Sequence, residues 1–167
     1  CFNTNTGDKI MILLLNDKWK MNKAGCSEKL DCCVPCSVYK TLIEHGKIPD
    51  PYYRENEFIS TEICDDDYDF STEFEAENEL LESSRVILRF DGIDTLADVF
   101  VNDCFVGSAD NMHRIWEFDV KKTVKPGRNK VVVKIKSPNK YIAEKHAKRP
   151  LWGVDTTMEG YTHIRKA

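Results

Sequence analysis

The sequence lacks an apolar run long enough to cross a membrane as a helix. Its longest run, Ile10–Leu15, is far shorter than the roughly 20 residues that a membrane-spanning helix needs. The preceding segment, CFNTNTGDK, carries a single lysine, and no small-residue cleavage site follows the run, so the pair does not match a secretory signal. We therefore expect no membrane partner.

Glycosylation sequons and a disulfide framework are also missing. No Asn-x-Ser/Thr triplet occurs, and the seven cysteines are an odd number scattered along the chain. Both absences favour a reducing compartment. We expect a cytoplasmic protein; a removed signal sequence, with a lipidated Cys1 as one form of it, remains the alternative.

The basic stretch Val120–Ser137 lacks the aromatic residues typical of nucleic-acid-binding surfaces. From Val120 onward there are 13 lysines and arginines against 3 acidic residues, although the whole chain has a net charge of −4. Single-stranded nucleic acids bind where basic residues are interleaved with aromatic stacking platforms, and Val120–Ser137 contains no aromatic residue. We expect a solvated basic face and no nucleic-acid partner.

What the sequence does contain is alternation of apolar and polar residues, most clearly around Leu88–Gly107. Val86–Phe90 and Ala97–Val101 each place every second residue on an apolar face, as strands that bury one face do. Asn102-Asp103 separates the second run from Cys104–Val106, and both residue types tolerate the left-handed backbone of a two-residue hairpin turn. The stretch therefore predicts strand, loop, strand, tight turn and strand.

The same reasoning covers the rest of the chain. Residues 1–10 are expected to be an N-terminal extension of a single domain spanning 1–167. The other predicted elements are a first strand and hairpin over Ile10–Met21, a helix over Ser37–His45, strands over 68–74, 116–120 and 131–135, a turn-like acidic segment over Glu75–Ser84, and a long loop over Asn139–Gly160. The predicted core is lined by Trp19, Phe74, Val86, Leu88, Phe90, Val99, Val101, Phe118, Val131, Val133 and Ile135. Many short strands with one short helix predict an all-β antiparallel sandwich or jelly roll.

Three ordered motifs carry a resemblance to a known family. The first is F-D-G-I-D-T-L-A-D-V-F-V-N-D, which begins at Phe90 and is followed by Val106-Gly107. The second joins V-P-C-S-V, from Val34, to I-P-D-P-Y-Y-R-E-N-E, from Ile48, and the third is H-I-R-K-A at His163–Ala167. Together they resemble the N-terminal, galactose-binding-like jelly-roll domain of family-2 glycoside hydrolases, in the β-mannosidase branch. Asp103 and Cys36 stand where that family usually has glycines.

The resemblance implies a jelly roll that packs on a catalytic barrel of the same polypeptide and helps to shape its sugar subsite. In the resembled enzymes the catalytic glutamates lie in a later barrel, and the downstream sandwich and barrel domains are absent here. The chain's own acids occur in runs, such as Asp65–Asp67, rather than as the paired carboxylates of a glycosidase. We expect no catalytic residue, cofactor or metal ion in this chain, and a parent protein that hydrolyses O-glycosyl bonds.

The segment before Ala167 would approach the catalytic pocket, according to the same resemblance. Trp152 has the side chain to stack on a sugar face, and Asp155, His163 and Arg165 have the groups to bond hydroxyls; anchoring of a loop is an equal interpretation for Trp152. Mannosides or related glycans are the expected ligands. An independent carbohydrate-binding module is the alternative function.

A thiol redox protein is the remaining alternative, because Cys33-Val34-Pro35-Cys36 opens the predicted helix. A helix N-terminus lowers a thiol pKa, as redox C-x-x-C motifs require. The βαβ context of such motifs is missing, however, and no second C-x-x-C completes a zinc site. We therefore expect neither a redox centre nor a bound metal at these cysteines.

Overall fold

The computed structural model describes residues 11–54, 56 and 62–150, and these residues form two antiparallel sheets. The larger sheet has the strand order β2-β1-β3-β8-β5-β6, and the smaller sheet pairs β4 with β7. The strands are β1 (Trp19–Lys23), β2 (Leu30–Cys32), β3 (Tyr68–Ala76), β4 (Ile87–Phe90), β5 (Ala97–Val101), β6 (Cys104–Ala109), β7 (Trp116–Asp119) and β8 (Gly127–Ile135). The helices are α1 (Val38–Glu44), α2 (Asn78–Glu82) and α3 (Pro138–Lys148).

The core lies between the two sheets. β3 and β8 form the longest ladder, from Tyr68 opposite Ile135 to Ala76 opposite Gly127, and every second residue of that ladder points inward because strand side chains alternate. The smaller sheet contributes Leu88 and Phe118, which are half-buried against the same core. All eleven predicted core residues are buried or packed against that cluster, so the all-β jelly-roll prediction and its register are confirmed.

The hairpin between β5 and β6 has the predicted turn. Asn102 and Asp103 have φ values of 49° and 64°, and positive φ at both central residues is what a type I′ turn requires. The register then shifts between Val99 and Phe100, where β6 carries one extra residue. Such a bulge bends and twists an edge strand, and β6 is at the edge of the larger sheet.

Helix α1 begins and ends where the sequence predicts. Ser37 caps it by accepting a hydrogen bond from the Lys40 backbone N–H at 3.2 Å, and Gly46 has a φ of 64° just after it. The buried residue of the helix is Thr41, whereas the apolar Ile43 is exposed. Thr41 fits because its hydroxyl is satisfied by the Ser37 carbonyl at 3.0 Å.

Three local predictions are wrong. Residues 11–16 form no strand, because β1 already has both its neighbours, β2 and β3; Trp19 nevertheless is a core anchor. The segment predicted as turn contains α2, whose Leu80 and Leu81 pack on the core.

The predicted loop over 139–160 is helical in α3, as far as Lys148. Ser137 caps this helix, a proline occupies its first turn, and Ile142 is buried, which are three features that start and hold a helix. Residues 151–160 of that prediction lie outside the described part of the chain. No helix among the described residues is long and apolar enough to cross a membrane.

Candidate functional site

The four predicted sugar-contacting residues, Trp152, Asp155, His163 and Arg165, lie outside the described residues. What the structure describes is the element that leads to them, helix α3, and the contacts that hold it on the sandwich. Those contacts converge on the short segment Cys64–Asp67, which immediately precedes β3.

The segment Cys64–Asp67, which we call the junction, holds the start of α3. The Ser137 backbone N–H donates to Oδ1 of Asp67 at 2.7 Å, and its hydroxyl donates to the Cys64 carbonyl at 2.6 Å. The Asn139 amide donates to the Asp65 carboxylate. Ser137 is itself buried, so these bonds replace water where water is excluded. The junction therefore fixes the position of the start of α3 on the sandwich.

The acidic run Asp65–Asp67 thus has a structural role. Each of its three carboxylates has a partner: Asp65 binds Asn139, Asp66 pairs with Lys23 at 2.6 Å, and Asp67 accepts from Ser137. The run therefore anchors the start of α3 through Asp65 and Asp67 and ties Asp66 to β1.

Acids elsewhere in the described part also face cationic partners. Glu73 accepts from Nε of Arg128 at 2.9 Å across the β3–β8 ladder. Burial raises the pKa of Asp98, but hydrogen bonds from Lys136 and Ser108 outweigh it and hold that pKa below its usual value. A glycosidase needs one carboxyl whose pKa is raised so that it acts as general acid. The shift at Asp98 has the opposite sign.

One open groove of about 520 Å³ lies beside Trp116, at the smaller sheet. The guanidinium of Arg114 covers the Trp116 ring at 4.7 Å from its centroid, and the indole Nε1 donates to the Asn111 carbonyl at 3.0 Å. A sugar-stacking tryptophan needs a free ring face, but one face of Trp116 is occupied by Arg114. This groove therefore offers an open, partly polar depression whose tryptophan already carries Arg114 on one face.

A second open groove, of about 300 Å³, lies on the outer face of the larger sheet. Lys134 Nζ lies 4.9 Å above the Phe100 ring, and Phe105 meets Phe100 edge to face at 5.6 Å. Asp69, Asp103, Lys130 and Val132 complete its lining. Neither groove is the enclosed cavity with convergent polar groups that tight small-molecule binding requires.

Cys33 and Cys36 of the C-x-x-C segment are free thiols; Cys33 is exposed and Cys36 is half-buried. Burial raises the pKa of Cys32 to about 12 and also raises the pKa of Cys36, whereas a redox-active thiol has a lowered pKa. Within residues 11–54, 56 and 62–150, no group of three or more His, Cys, Asp or Glu side chains could hold a metal ion.

A buried polar network that the sequence analysis missed lies beside the β5–β6 turn. Asn129 accepts hydrogen bonds from the Asn102 amide at 2.7 Å and the Lys125 N–H at 2.8 Å, and it donates to the Lys125 and Gly127 carbonyls, each at 2.7 Å. Asn102 also donates to the Thr123 carbonyl at 2.8 Å. An asparagine at an inward position of β8 is the sequence feature that indicates this network. Asn102, part of the first family motif, is therefore a structural residue.

Comparison with known proteins gives concordant results. The family model described as "Glycosyl hydrolase 2 galactose-binding domain-like" matches residues 19–167. The β-mannosidase of Mus musculus is 38% identical over 111 residues, covering 66% of this chain and 13% of the mouse protein. That of Bos taurus is 32% identical over 146 residues, covering 87% and 16%.

Comparison with solved structures gives the same result as the comparison of sequences. The β-D-mannosidase of Dictyoglomus thermophilum superposes with a TM-score of 0.87 at 32% identity, covering 95% of this chain and 20% of that chain. A β-glucuronidase of Ruminococcus gnavus, at 22% identity and a TM-score of 0.56 over 74% of this chain and 20% of its own, shares the fold. The chain spans between 13% and 20% of the length of these relatives.

Proposed function

The chain belongs to the glycosyl hydrolase 2 galactose-binding domain-like family, and from this premise we propose that it is the non-catalytic N-terminal domain of a β-mannosidase-like glycoside hydrolase. In this proposal the jelly roll packs on the catalytic domains of the same polypeptide. It also contributes one wall of the pocket for the non-reducing sugar.

The observation that carries the proposal is the likeness to the Dictyoglomus enzyme, which extends over 95% of this chain but only 20% of that one. A match that is nearly complete over this chain and covers one fifth of the enzyme is what one domain of a larger glycoside hydrolase gives. The pairing of the described carboxylates agrees with a non-catalytic role. The carboxylates of the junction and that of Glu73 are paired with amide or cationic partners.

The sugar-contacting part of the proposal rests on residues 152–165. The junction holds the start of α3 with three hydrogen bonds, so the start of that helix has a fixed position on the sandwich. Beyond it, Trp152 would stack on a sugar ring, and Asp155, His163 and Arg165 would bond its hydroxyls or a neighbouring catalytic group. Mannosides are the ligands of choice, since the relatives over 30% identical are named β-mannosidases.

A substrate panel on the full polypeptide that contains this chain tests the proposal. We expect hydrolysis of 4-nitrophenyl β-mannoside, with kcat/KM at least 100-fold above that for the β-glucuronide and the β-galactoside. A preference for the glucuronide would contradict the proposed substrate class. Inactivity on all three would contradict the proposed enzyme.

A further inference from the structure

A short turn after helix α1 holds two tyrosines outward. We call residues 50–54 the tyrosine turn. The Asp50 carboxylate accepts the Tyr52 backbone N–H at 2.9 Å, and its carbonyl accepts the Tyr53 N–H at 3.2 Å and the Asn56 side-chain amide at 2.8 Å. Pro49 and Pro51 flank Asp50 and restrict the backbone on both sides. The turn is therefore built by its own hydrogen bonds.

The side chains that it presents are exposed. Tyr52 has 95% of its surface accessible and Tyr53 has 58%, and the Arg54 guanidinium lies 5.1 Å above the Tyr53 ring. Tyrosine and arginine are the residue types that most often carry binding energy at protein interfaces. A backbone that is already fixed lowers the ordering cost of using them. A fully exposed tyrosine on such a turn contributes nothing to the core of this domain.

The chemistry of the turn favours a protein partner over a glycan. One face of Tyr53 is covered by Arg54, and the Asp50 oxygens are used inside the turn. A sugar site needs polar groups free to converge on hydroxyls beside an open aromatic face. A protein pocket needs only to receive the Tyr52 ring.

The length of the relatives favours a partner within the same polypeptide. Relatives are five or more times longer than this chain, which covers 13% to 20% of them, and a tethered partner is present at millimolar effective concentration.

We infer that the tyrosine turn is the contact through which this domain docks on the catalytic domains of its own polypeptide, with Tyr52 buried in a pocket of that partner. The inference rests on the proposed function for the existence of that partner. It adds the surface and the residue that make the contact.

Hydroxyl-radical footprinting of the full polypeptide tests it, with the oxidation rate of Tyr52 measured by mass spectrometry in the native and the urea-unfolded protein. If Tyr52 is docked, we expect its native rate to fall below one fifth of its unfolded rate. A native rate within twofold of the unfolded rate, as free exposure dictates, would overturn the inference. Protection lost on dilution would indicate a second copy of the chain, and protection gained only with added mannoside would indicate a glycan; both would overturn it.

A matched pair of variants adds a functional readout. Tyr52→Ala in the full polypeptide should raise KM or lower kcat for the β-mannoside at least threefold, while Phe105→Ala, an exposed aromatic on the outer sheet face, should leave both unchanged. Equal effects of the two variants would contradict docking through Tyr52. If the full polypeptide is active but Tyr52 is not protected, only the docking surface is refuted. If Tyr52 is protected but the full polypeptide has no β-mannosidase activity, only the proposed enzyme is refuted.

Discussion

The backbone of Gly107 in β6 lies directly against the aromatic ring of Phe118 in β7. A Cβ atom at Gly107 would lie 2.6 Å from Cδ1 of Phe118 and closer still to its Cε1. The two residues belong to different sheets, so this contact closes the sandwich beside the bulge of β6. The Val-Gly of the first family motif is therefore required by packing between the sheets.

Gly107→Ala should destabilise the domain by about 1–3 kcal/mol, because the added methyl group overpacks the contact with Phe118. Urea unfolding measures the change. The double variant Gly107→Ala/Phe118→Leu should recover part of the loss relative to the sum of the single variants, since leucine leaves room for the methyl group. Simple additivity would contradict the contact as its cause.

Asn129→Ala should cost about 2–4 kcal/mol. Asn129 is only 1% exposed and makes four hydrogen bonds, and their loss leaves buried donors and acceptors unpaired. The exposed Lys122→Ala is the control and should change the free energy of unfolding by less than about 0.5 kcal/mol. Equal effects of the two variants would show that the network is not a stabilising element.

The stability of the domain should fall as the pH rises above about 9. Burial raises the pKa of Cys32 to about 12, and burial with the charge of Asp66 raises the pKa of Tyr68 to about 12. The folded protein therefore keeps protons that the unfolded chain releases, and stability declines between the unfolded and folded pKa values.

Urea unfolding at pH 7, 9 and 10.5 measures this decline. Tyr68→Phe should reduce the decline in the free energy of unfolding above pH 10. Tyr52→Phe, which changes an exposed ring, should not. A free energy of unfolding that stays constant to pH 10.5 would contradict the burial of the two groups.

Arg165→Ala in the full polypeptide should lower kcat for the β-mannoside about tenfold or more while leaving Tm unchanged, because Arg165 is proposed to position substrate or a catalytic neighbour. Lys166→Ala, which changes the adjacent basic residue, is the matched control, and its kcat should stay unchanged. A loss of Tm that accompanies the loss of kcat would show a structural role instead.

The sequence predicted the strands because burial of one face imposes a period of two, which is visible in Ala97–Val101 without any knowledge of partners. The turn at Asn102-Asp103 was equally predictable, since its backbone conformation restricts residue type. Helix α3 was missed because its sequence has a single buried apolar residue, Ile142. Its start also depends on hydrogen bonds that Ser137 donates to Cys64 and Asp67, some 70 residues away.

The functional residues were harder to predict from physics. The roles of Trp152 and Arg165 came from the resemblance alone and stay predictions. The anchoring role of Asp65–Asp67 could not be predicted. A run of carboxylates has the same sequence whether its partners are water molecules or the start of a helix. The exposure of Tyr52 could not be predicted either, because a tyrosine in a sequence is normally assigned to a core.

Hydrolysis of 4-nitrophenyl β-mannoside by purified Cys1–Ala167, assayed beside the full polypeptide at equal molar concentration, tests the central claim most directly. We predict that the full polypeptide hydrolyses the β-mannoside and that Cys1–Ala167 does not exceed the buffer rate, because the proposed function places the catalytic acid and nucleophile in the catalytic domains of the full polypeptide. Calorimetry on the same sample should show no low-micromolar binding of mannose. Measurable hydrolysis by Cys1–Ala167, or mannose binding at that affinity, would contradict a non-catalytic domain that needs its partner.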